Sequence, residues 1–181
     1  LILSVFMDRS SAQASTPSGW TFLGHNNIEA PGSSHFYRIY DGTGSPWSTT
    51  WSTDKTYWGS MVAFRPDATI TTLSAEQFTT AGGDTTTITN TISSVATTNA
   101  PGGRIYFHTS SSTGASDLDT VTDTFGGSSG WTTVSGQGVI TGDANNYNYK
   151  LDTAGTAFTS TTVSSQSGNK FQSNFFILNA E

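Results

Sequence analysis

One pattern of residues occurs twice along this chain, and such a repeat restricts the fold more than any single residue does. A Ser-Gly-Trp-Thr sequence containing Trp20 recurs around Trp131, and the Tyr-Arg-Ile sequence at Tyr37 recurs as Tyr-Lys-Leu at Tyr149. The apolar segment before the first copy also has a counterpart before the second. A repeat of this kind indicates related modules that fold alike, and repeated β modules are typical of arrays, shells and fibres.

Composition favours strands over helices. Only 11% of the residues are charged, which is less than half the share of an ordinary soluble domain. Thr, Ser and Gly take their place, and these residues suit strands and turns. No stretch has the i, i+3, i+4, i+7 apolar spacing of an amphipathic helix. The sequence therefore predicts an all-β protein.

The repeat divides the chain into two predicted modules. We expect residues 1–66 to form the first and residues 67–181 the second, as two tandem, related antiparallel β-sandwiches of jelly-roll-like form. The second module begins with a Thr-rich lead-in over residues 67–103, which has no counterpart before Leu1. We therefore predict that the first module lacks its N-terminal strands.

A sandwich without those strands would leave a strand edge open at its apolar first segment, Leu1–Phe6. Unpaired edges recruit partners, and a donated strand is one route to assembly. We predict that Leu1, Leu3 and Val5 form an assembly edge. A neighbouring subunit, a segment preceding Leu1, or residues 69–97 folding back would cover it.

Alternation along the strands predicts which side chains face the core. Tyr147, Tyr149 and Leu151 share one face, whereas Asn148 and Lys150 share the other, which we expect to face solvent. In the first copy, Tyr37 and Ile39 match Tyr149 and Leu151 on the core face, and Arg38 matches Lys150 on the solvent side. Near the ends of the modules the alignment matches Trp58, Ser60, Val62 and Phe64 with Phe171, Ser173, Phe175 and Ile177.

The tryptophans fall into two groups. Trp20 and Trp131 follow the same Gly in both copies, so we predict that they are core residues; the alternative is a platform on which a sugar stacks. Trp47 and Trp51 have no aromatic counterparts of that size in the second copy and lie near a Gly/Pro loop. We predict that they form a contact surface.

No pattern indicates catalysis. The three histidines lack the spacing of a zinc site, and the chain has no Cys, no Gly-x-Ser-x-Gly motif and no phosphate-binding loop. Asp117, Asp119 and Asp123 resemble a calcium-binding spacing, but Val121 and Thr122 stand where a ligand and Gly belong. We expect no enzyme activity and no catalytic, cofactor-binding or metal residues.

Charge and hydropathy restrict the partners. The net charge is −6 and the seven basic residues are scattered, which argues against nucleic acid. The longest apolar run, Leu1–Met7, is far too short to span a bilayer. The absence of Cys fits a particle assembled in the cytosol, or a bacterial surface protein.

The order of motifs resembles a known module. Pro-Ser-Gly-Trp-Thr ending at Thr21 is followed by Tyr-Arg-Ile-Tyr-Asp-Gly-Thr from Tyr37 and by Ser-Met-Val-Ala-Phe-Arg from Ser60. This order is similar to a β-sandwich module of bacteriophage virion structural proteins, including those of marine phages and cyanophages. The resemblance covers Leu1–Asp67 well and Arg104–Glu181 more loosely.

The resemblance implies a virion protein, a capsid decoration protein or a head or tail fibre component. Such a protein would assemble with other virion subunits, as a homo-oligomer or in a capsid or tail lattice, on an extracellular particle. The alternative is a carbohydrate-binding adhesin module of a phage tail fibre or bacterial surface protein, with a glycan as its partner. Neither alternative involves nucleic acid or a membrane.

Overall fold

The computed structural model describes most of the chain. The described residues are 1–7, 12–28, 32–42, 57–65, 69–84, 86–95, 102–113, 121–126, 129–134, 143–153, 157–164 and 170–181. All regular elements within these ranges are β-strands, which confirms the all-β prediction.

The described ranges contain twelve strands. Those of the first part of the chain are β1 (Ile2–Met7), β2 (Thr21–Asn26), β3 (Gly32–Tyr37) and β4 (Tyr57–Val62). Then follow β5 (Leu73–Asp84), β6 (Thr87–Ile92), β7 (Arg104–Thr113) and β8 (Val121–Gly126). The last four are β9 (Thr132–Thr133), β10 (Asp143–Asp152), β11 (Phe158–Ser164) and β12 (Lys170–Ala180).

The strands form three antiparallel sheets. Sheet A has the order β2-β3-β1-β4, sheet B has the order β5-β12-β7-β10-β9, and sheet C has the order β6-β11-β8. β5 and β6 follow each other in the chain but lie in different sheets, B and C.

The sequence repeat coincides with a repeated strand order. β1 lies between β3 and β4, with β2 beyond β3; β7 lies between β10 and β12, with β9 beyond β10. Tyr37 pairs with Ile2, and Tyr149 pairs with Phe107 at the corresponding place. Two sheets thus share one order of strands. A division into two tandem jelly-roll modules goes further and stays a prediction.

The register corrects one part of the sequence alignment. Val62 pairs with Ile2, and Phe176 pairs with Phe107. Phe176, rather than Phe175, therefore stands in the place of Val62. A shift of one residue moves a side chain to the other face of a sheet. Accordingly, Phe176 packs toward sheet A, and Phe175 packs toward sheet C.

Sheet B lies between the other two sheets. The core between A and B contains Ile2, Phe6, Tyr37, Ile105, Phe107, Tyr147, Phe176 and Leu178. The core between B and C contains Ile92, Tyr106, Phe158, Phe175 and Ile177. A third cluster covers the outer face of sheet A and contains Leu3, Val5, Ala14, Trp20 and Phe36. Burial of these side chains from water is the main force that holds the layers together.

Sheet C covers the side of β10 that the sequence predicted to face solvent. Tyr147 is buried in the A–B core and Tyr149 packs against it, as the alternation predicted. Asn148, which we expected to face solvent, is only 2% exposed because sheet C covers that side of sheet B. Leu151, which we expected in the core, is 57% exposed near the end of the strand.

β1 lies inside sheet A rather than at its edge. It pairs with β3 on one side and with β4 on the other. Leu3 and Val5 are buried, and the Leu1 carbonyl accepts a hydrogen bond from the Arg38 N–H at 3.0 Å. These three residues therefore form no free strand edge in the described chain, and a role for them in assembly stays a prediction. The outermost strands of sheet A are β2 and β4.

Candidate functional site

Several residues singled out from the sequence lie outside the described part of the chain. They are Trp47 and Trp51, predicted as a contact surface, and Asp117 and Asp119, which were compared with a calcium loop. The side chains of Trp58 and Phe171 also lie outside it. The contact-surface prediction for Trp47 and Trp51 therefore stays a prediction.

The Gly-Trp motif has a conformational explanation in both copies. Gly19 has a φ of 78° and Gly130 a φ of 90°, a backbone region that favours glycine. Trp20, which follows directly, is 8% exposed and packs in the outer core of sheet A, as predicted. Trp131 is half-buried, and its ring stacks on Phe125 with centroids 4.2 Å apart. The motif thus turns the chain and anchors a large ring.

A cleft opens at one end of the A–B sandwich, where β1 and β7 begin. Its volume is about 670 Å³. Its walls are largely apolar and come from both sheets and from the segment before β5; among them are Ile2, Phe64, Ile70, Leu73, Ile105 and Tyr149. The exposed rim includes Ile39, Tyr40 and Leu151, at 45%, 46% and 57% exposure. This volume is in the range of small-molecule sites.

The charged residues among those that line this cleft are both basic. Arg38 and Arg65 line it, and no acidic side chain of the described residues does. The Arg38 guanidinium carbon lies 5.6 Å from the ring centroid of Trp20 and 4.9 Å from that of Tyr40. Its Nε is buried and has no hydrogen-bond acceptor within the described ranges. Arg38 is therefore an ordered cation held by aromatic rings.

Two basic residues elsewhere in the described chain have carboxylate partners. Arg104 is buried and makes a two-point ion pair with Glu76. The Lys150 ammonium nitrogen lies 3.1 Å from a carboxylate oxygen of Asp152. The hydrogen bond and the charge of Glu76 raise the pKa of Arg104. Arg38, by contrast, makes no ion pair with a carboxylate of the described residues.

A buried polar network lies between sheets B and C, centred on the Asp123 carboxylate. The side chain of Asp123 is 2% exposed. It accepts hydrogen bonds from Ser110 at 2.8 Å, Asn148 at 3.0 Å and Thr162 at 2.7 Å. Three donors from three strands compensate for the loss of hydration, as a buried carboxylate requires. The network therefore ties β8 to sheet B, through β7 and β10, and to its neighbour β11 in sheet C.

His108 lies beside this carboxylate in an arrangement that resembles a Ser-His-Asp triad. Its Nε2 is 2.9 Å from the Ser173 hydroxyl, and its Nδ1 is 3.8 Å from an Asp123 oxygen. Burial lowers the pKa of His108, and the charge of Asp123 opposes that shift. A triad must present its serine to a substrate, but Ser173 and His108 are 0% exposed. The geometry supports a structural role.

A second buried histidine, His35, lies between sheets A and B. Its Nδ1 is 3.0 Å from the Ser4 hydroxyl, and its Nε2 is 3.0 Å from the Ser33 hydroxyl. Ser33 donates to the side-chain oxygen of Gln172 at 2.7 Å and accepts from Asn174 at 3.2 Å. Because the Ser33 hydrogen is already donated, its oxygen accepts from His35, which places the proton on Nε2.

Sequence reasoning missed both histidine networks and the cleft. The histidines were judged only by their spacing, which does not suit zinc. A usable signal was present: His35 directly precedes Phe36 and His108 directly follows Phe107, each within a predicted strand. A polar side chain in such a segment needs partners from other strands. Nothing in the sequence indicated that Arg38 and Arg65 lie at the same cleft.

The described ranges lack both a cluster of metal-binding side chains and a membrane-spanning helix. These ranges hold no group of three or more His, Asp or Glu side chains placed to bind a metal ion. They also contain no helix long and apolar enough to cross a membrane.

The chain matches no family model, no curated protein and no solved structure.

Proposed function

We propose that this chain is a non-enzymatic structural protein of a virion, a capsid decoration protein or a head or tail fibre component, that works by assembly with other subunits. One observation carries the proposal: an apolar row crosses the outer face of sheet A and reaches the surface at both ends. The row consists of Phe22, Phe36, Leu3 and Met61, which pair in that order.

The middle and the ends of this row differ in exposure. Phe36 and Leu3 are fully buried, whereas Phe22 on β2 is 38% exposed and Met61 on β4 is 45% exposed. Large apolar side chains at the surface favour contact with another protein when they are grouped at one place. Phe22 and Met61 lie on the two outermost strands of sheet A, where each continues the buried apolar row to the surface.

These outer strands also lack the usual protection against pairing. Soluble proteins commonly place Lys, Pro or other charged residues on edge strands, which prevents a second chain from adding to the sheet. β2 has the sequence TFLGHN and β4 has the sequence YWGSMV, with no Lys, Arg, Asp, Glu or Pro. Strand addition at β2 or β4 is therefore the mode of assembly that we propose.

The repeat and the composition support the same function. Two sheets with one strand order fit a shell or fibre subunit built from tandem jelly-roll-like modules, which we include in the proposal. The low share of charged residues and the resemblance to phage modules favour the same interpretation. The buried Ser173, His108 and Asp123 do not favour an enzyme.

Oligomeric state tests this proposal. Size-exclusion chromatography with light scattering should show the wild-type chain as an oligomer, and the double variant Phe22→Lys/Met61→Lys as a monomer. Val163→Lys is the matched control, because Val163 is 40% exposed but lies on β11, the middle strand of sheet C. A monomeric wild type, or an oligomer unaffected by the double variant, would contradict assembly through sheet A.

Two further experiments address the virion and the adhesin alternative. Immunogold labelling of purified particles should place the chain on the particle surface. A glycan array should give no specific signal with the wild-type chain. Specific sugar binding that is lost in Trp47→Ala would instead favour the carbohydrate-binding adhesin.

A further inference from the structure

We infer that the outer face of sheet C binds the surface of ice crystals through a regular array of threonine side chains. Sheet C consists of β6, β11 and β8, with β11 in the middle. The inference is independent of the proposed assembly, because the apolar row from Phe22 to Met61 lies on sheet A.

Alternation along these strands turns every second residue to the outside. In β6, Ile88, Asn90 and Ile92 are buried, and the residues between them are exposed. The strand pairing aligns the outward residues in rows of three, with one residue from each strand. The rows are Thr91, Thr159 and Gly126; Thr89, Thr161 and Thr124; and Thr87, Val163 and Thr122. Seven of the nine positions are therefore threonine, and one is valine, which has the same branched shape.

The array has two repeat distances, which come from the geometry of the sheet. Neighbouring strands lie about 4.8 Å apart, and alternate residues along one strand lie about 6.7 Å apart. Both distances are close to spacings between water oxygens on the faces of an ice crystal. Only three strands contribute to the face, which limits the twist that accumulates across it. The β-branched side chains are also stiff, so the array is largely ordered before it meets ice.

Threonine supplies the two groups that an ice surface requires. Its hydroxyl donates and accepts hydrogen bonds, as a lattice water does, and its methyl group fills the hollows between lattice waters. The hydroxyl oxygens of Thr91 and Thr159 lie 3.3 Å apart, and the Thr124 hydroxyl donates to the Thr161 carbonyl at 3.4 Å. These contacts restrict the directions in which the hydroxyls point.

The face carries no charge, which matches the uncharged surface of ice. An ordinary protein surface is about a quarter to a third charged, whereas none of the nine positions holds a charged residue. β6 and β11 contain no charged residue, and Asp123 of β8 is turned inward, where its side chain is 2% exposed. Charged side chains would hold hydration water in arrangements that the lattice cannot accept.

The same face suits other partners less well. Protein interfaces have aromatic residues, Met and Arg at their centres, and proteins that lie on a membrane use basic and aromatic side chains. Sugar sites place an aromatic ring against the sugar. The nine positions contain none of these residues.

Partition into slowly growing ice tests the inference on the full chain. The labelled wild-type chain should be enriched in the ice relative to a labelled protein that does not bind ice, and it should hold small ice crystals unchanged just below their melting point. Thr161→Lys places a bulky charge at the centre of the array, and both effects should be lost. Thr161→Val keeps the branched shape and should retain them. Thr132→Lys, at an exposed position on β9, is the matched control and should behave as the wild type.

The folding of each variant is checked by urea denaturation. If Thr161→Lys does not fold, Val163→Lys takes its place, because Val163 is 40% exposed on the same face. The inference is overturned if the wild type is excluded from ice, if the folded lysine variant still enters ice, or if Thr132→Lys loses as much as Thr161→Lys does. A lower mass of Thr161→Lys than of the wild type by light scattering would assign the face to a second copy of the chain and would also overturn it.

Discussion

Acid should loosen the contact between sheets A and B through His35. This side chain is 0% exposed, and its ring lies among those of Phe6, Phe78 and Phe176, at centroid distances of 6.0, 5.7 and 5.5 Å. Burial, with a smaller effect from the charge of His25, lowers the pKa of His35 from 6.5 to about 3. The folded chain therefore holds this imidazole neutral over most of the acid range.

The direction of the pH effect follows from proton binding. Above the unfolded pKa of 6.5, His35 is neutral in both states and contributes no pH dependence. As the pH falls from 6.5 toward 3, the unfolded state takes up a proton that the folded state does not bind, so the free energy of unfolding decreases. At about 1.36 kcal/mol per pH unit, the loss at pH 4.5 is about 2.7 kcal/mol.

Urea denaturation followed by tryptophan fluorescence, at several pH values from 7.5 down to 4.5, measures this loss. In His35→Gln the decrease in unfolding free energy should be smaller than in the wild type by about 2.7 kcal/mol. Val5→Ala is the matched control, because it removes buried volume but keeps every histidine, and it should show the wild-type pH dependence. The reasoning is refuted if the free energy of unfolding falls with pH by the same amount in the wild type and in His35→Gln, within about 0.5 kcal/mol.

Three substitutions test the packing by the same denaturation assay at neutral pH. Trp20→Ala should cost about 3–5 kcal/mol, as for other buried aromatics, and a loss under about 1 kcal/mol would contradict a core role. Gly24→Ala should cost about 1–3 kcal/mol, since the added Cβ would lie 2.3 Å from the Phe78 ring; Phe78→Leu in the same chain should restore part of it. Glu76→Gln should cost about 2–3 kcal/mol, because the buried Arg104 loses its carboxylate partner; the 27% exposure of Glu76 keeps this cost below that of a fully buried pair. An unchanged stability would show that the pair contributes little.

The sequence predicted which segments form strands better than it predicted which strand faces are buried. Thr-rich composition and alternation identified an all-β chain, and the repeat around Trp20 and Trp131 corresponds to a repeated strand order. Alternation could not show that sheet B is covered on both faces. Asn148 looked like a solvent-facing residue because its hydrogen-bond partners, Thr133 and Asp123, come from other strands. A buried polar side chain is recognisable only when its tertiary partners are known.

The candidate cleft was the least predictable feature. Ile39 and Leu151 continue the apolar alternation of their strands, so the sequence placed both in the core. They lie instead at the end of the sandwich, where the opposing sheet no longer covers them and a cleft begins. Arg38 and Arg65 are separated in sequence, and only the pairing of β1 with β3 and β4 brings their segments together.

The place of β12 in sheet B has a consequence for how the protein is made. β12 is the last strand in this chain, yet it pairs with both β5 and β7 in the middle of the sheet. A ribosome releases β5 and β7 first, so neither strand has its β12 partner until residues 170–180 have been made. Sheet A, by contrast, can close as soon as β4 emerges. The second half is therefore the slower to fold and the more exposed to pairing with a wrong strand.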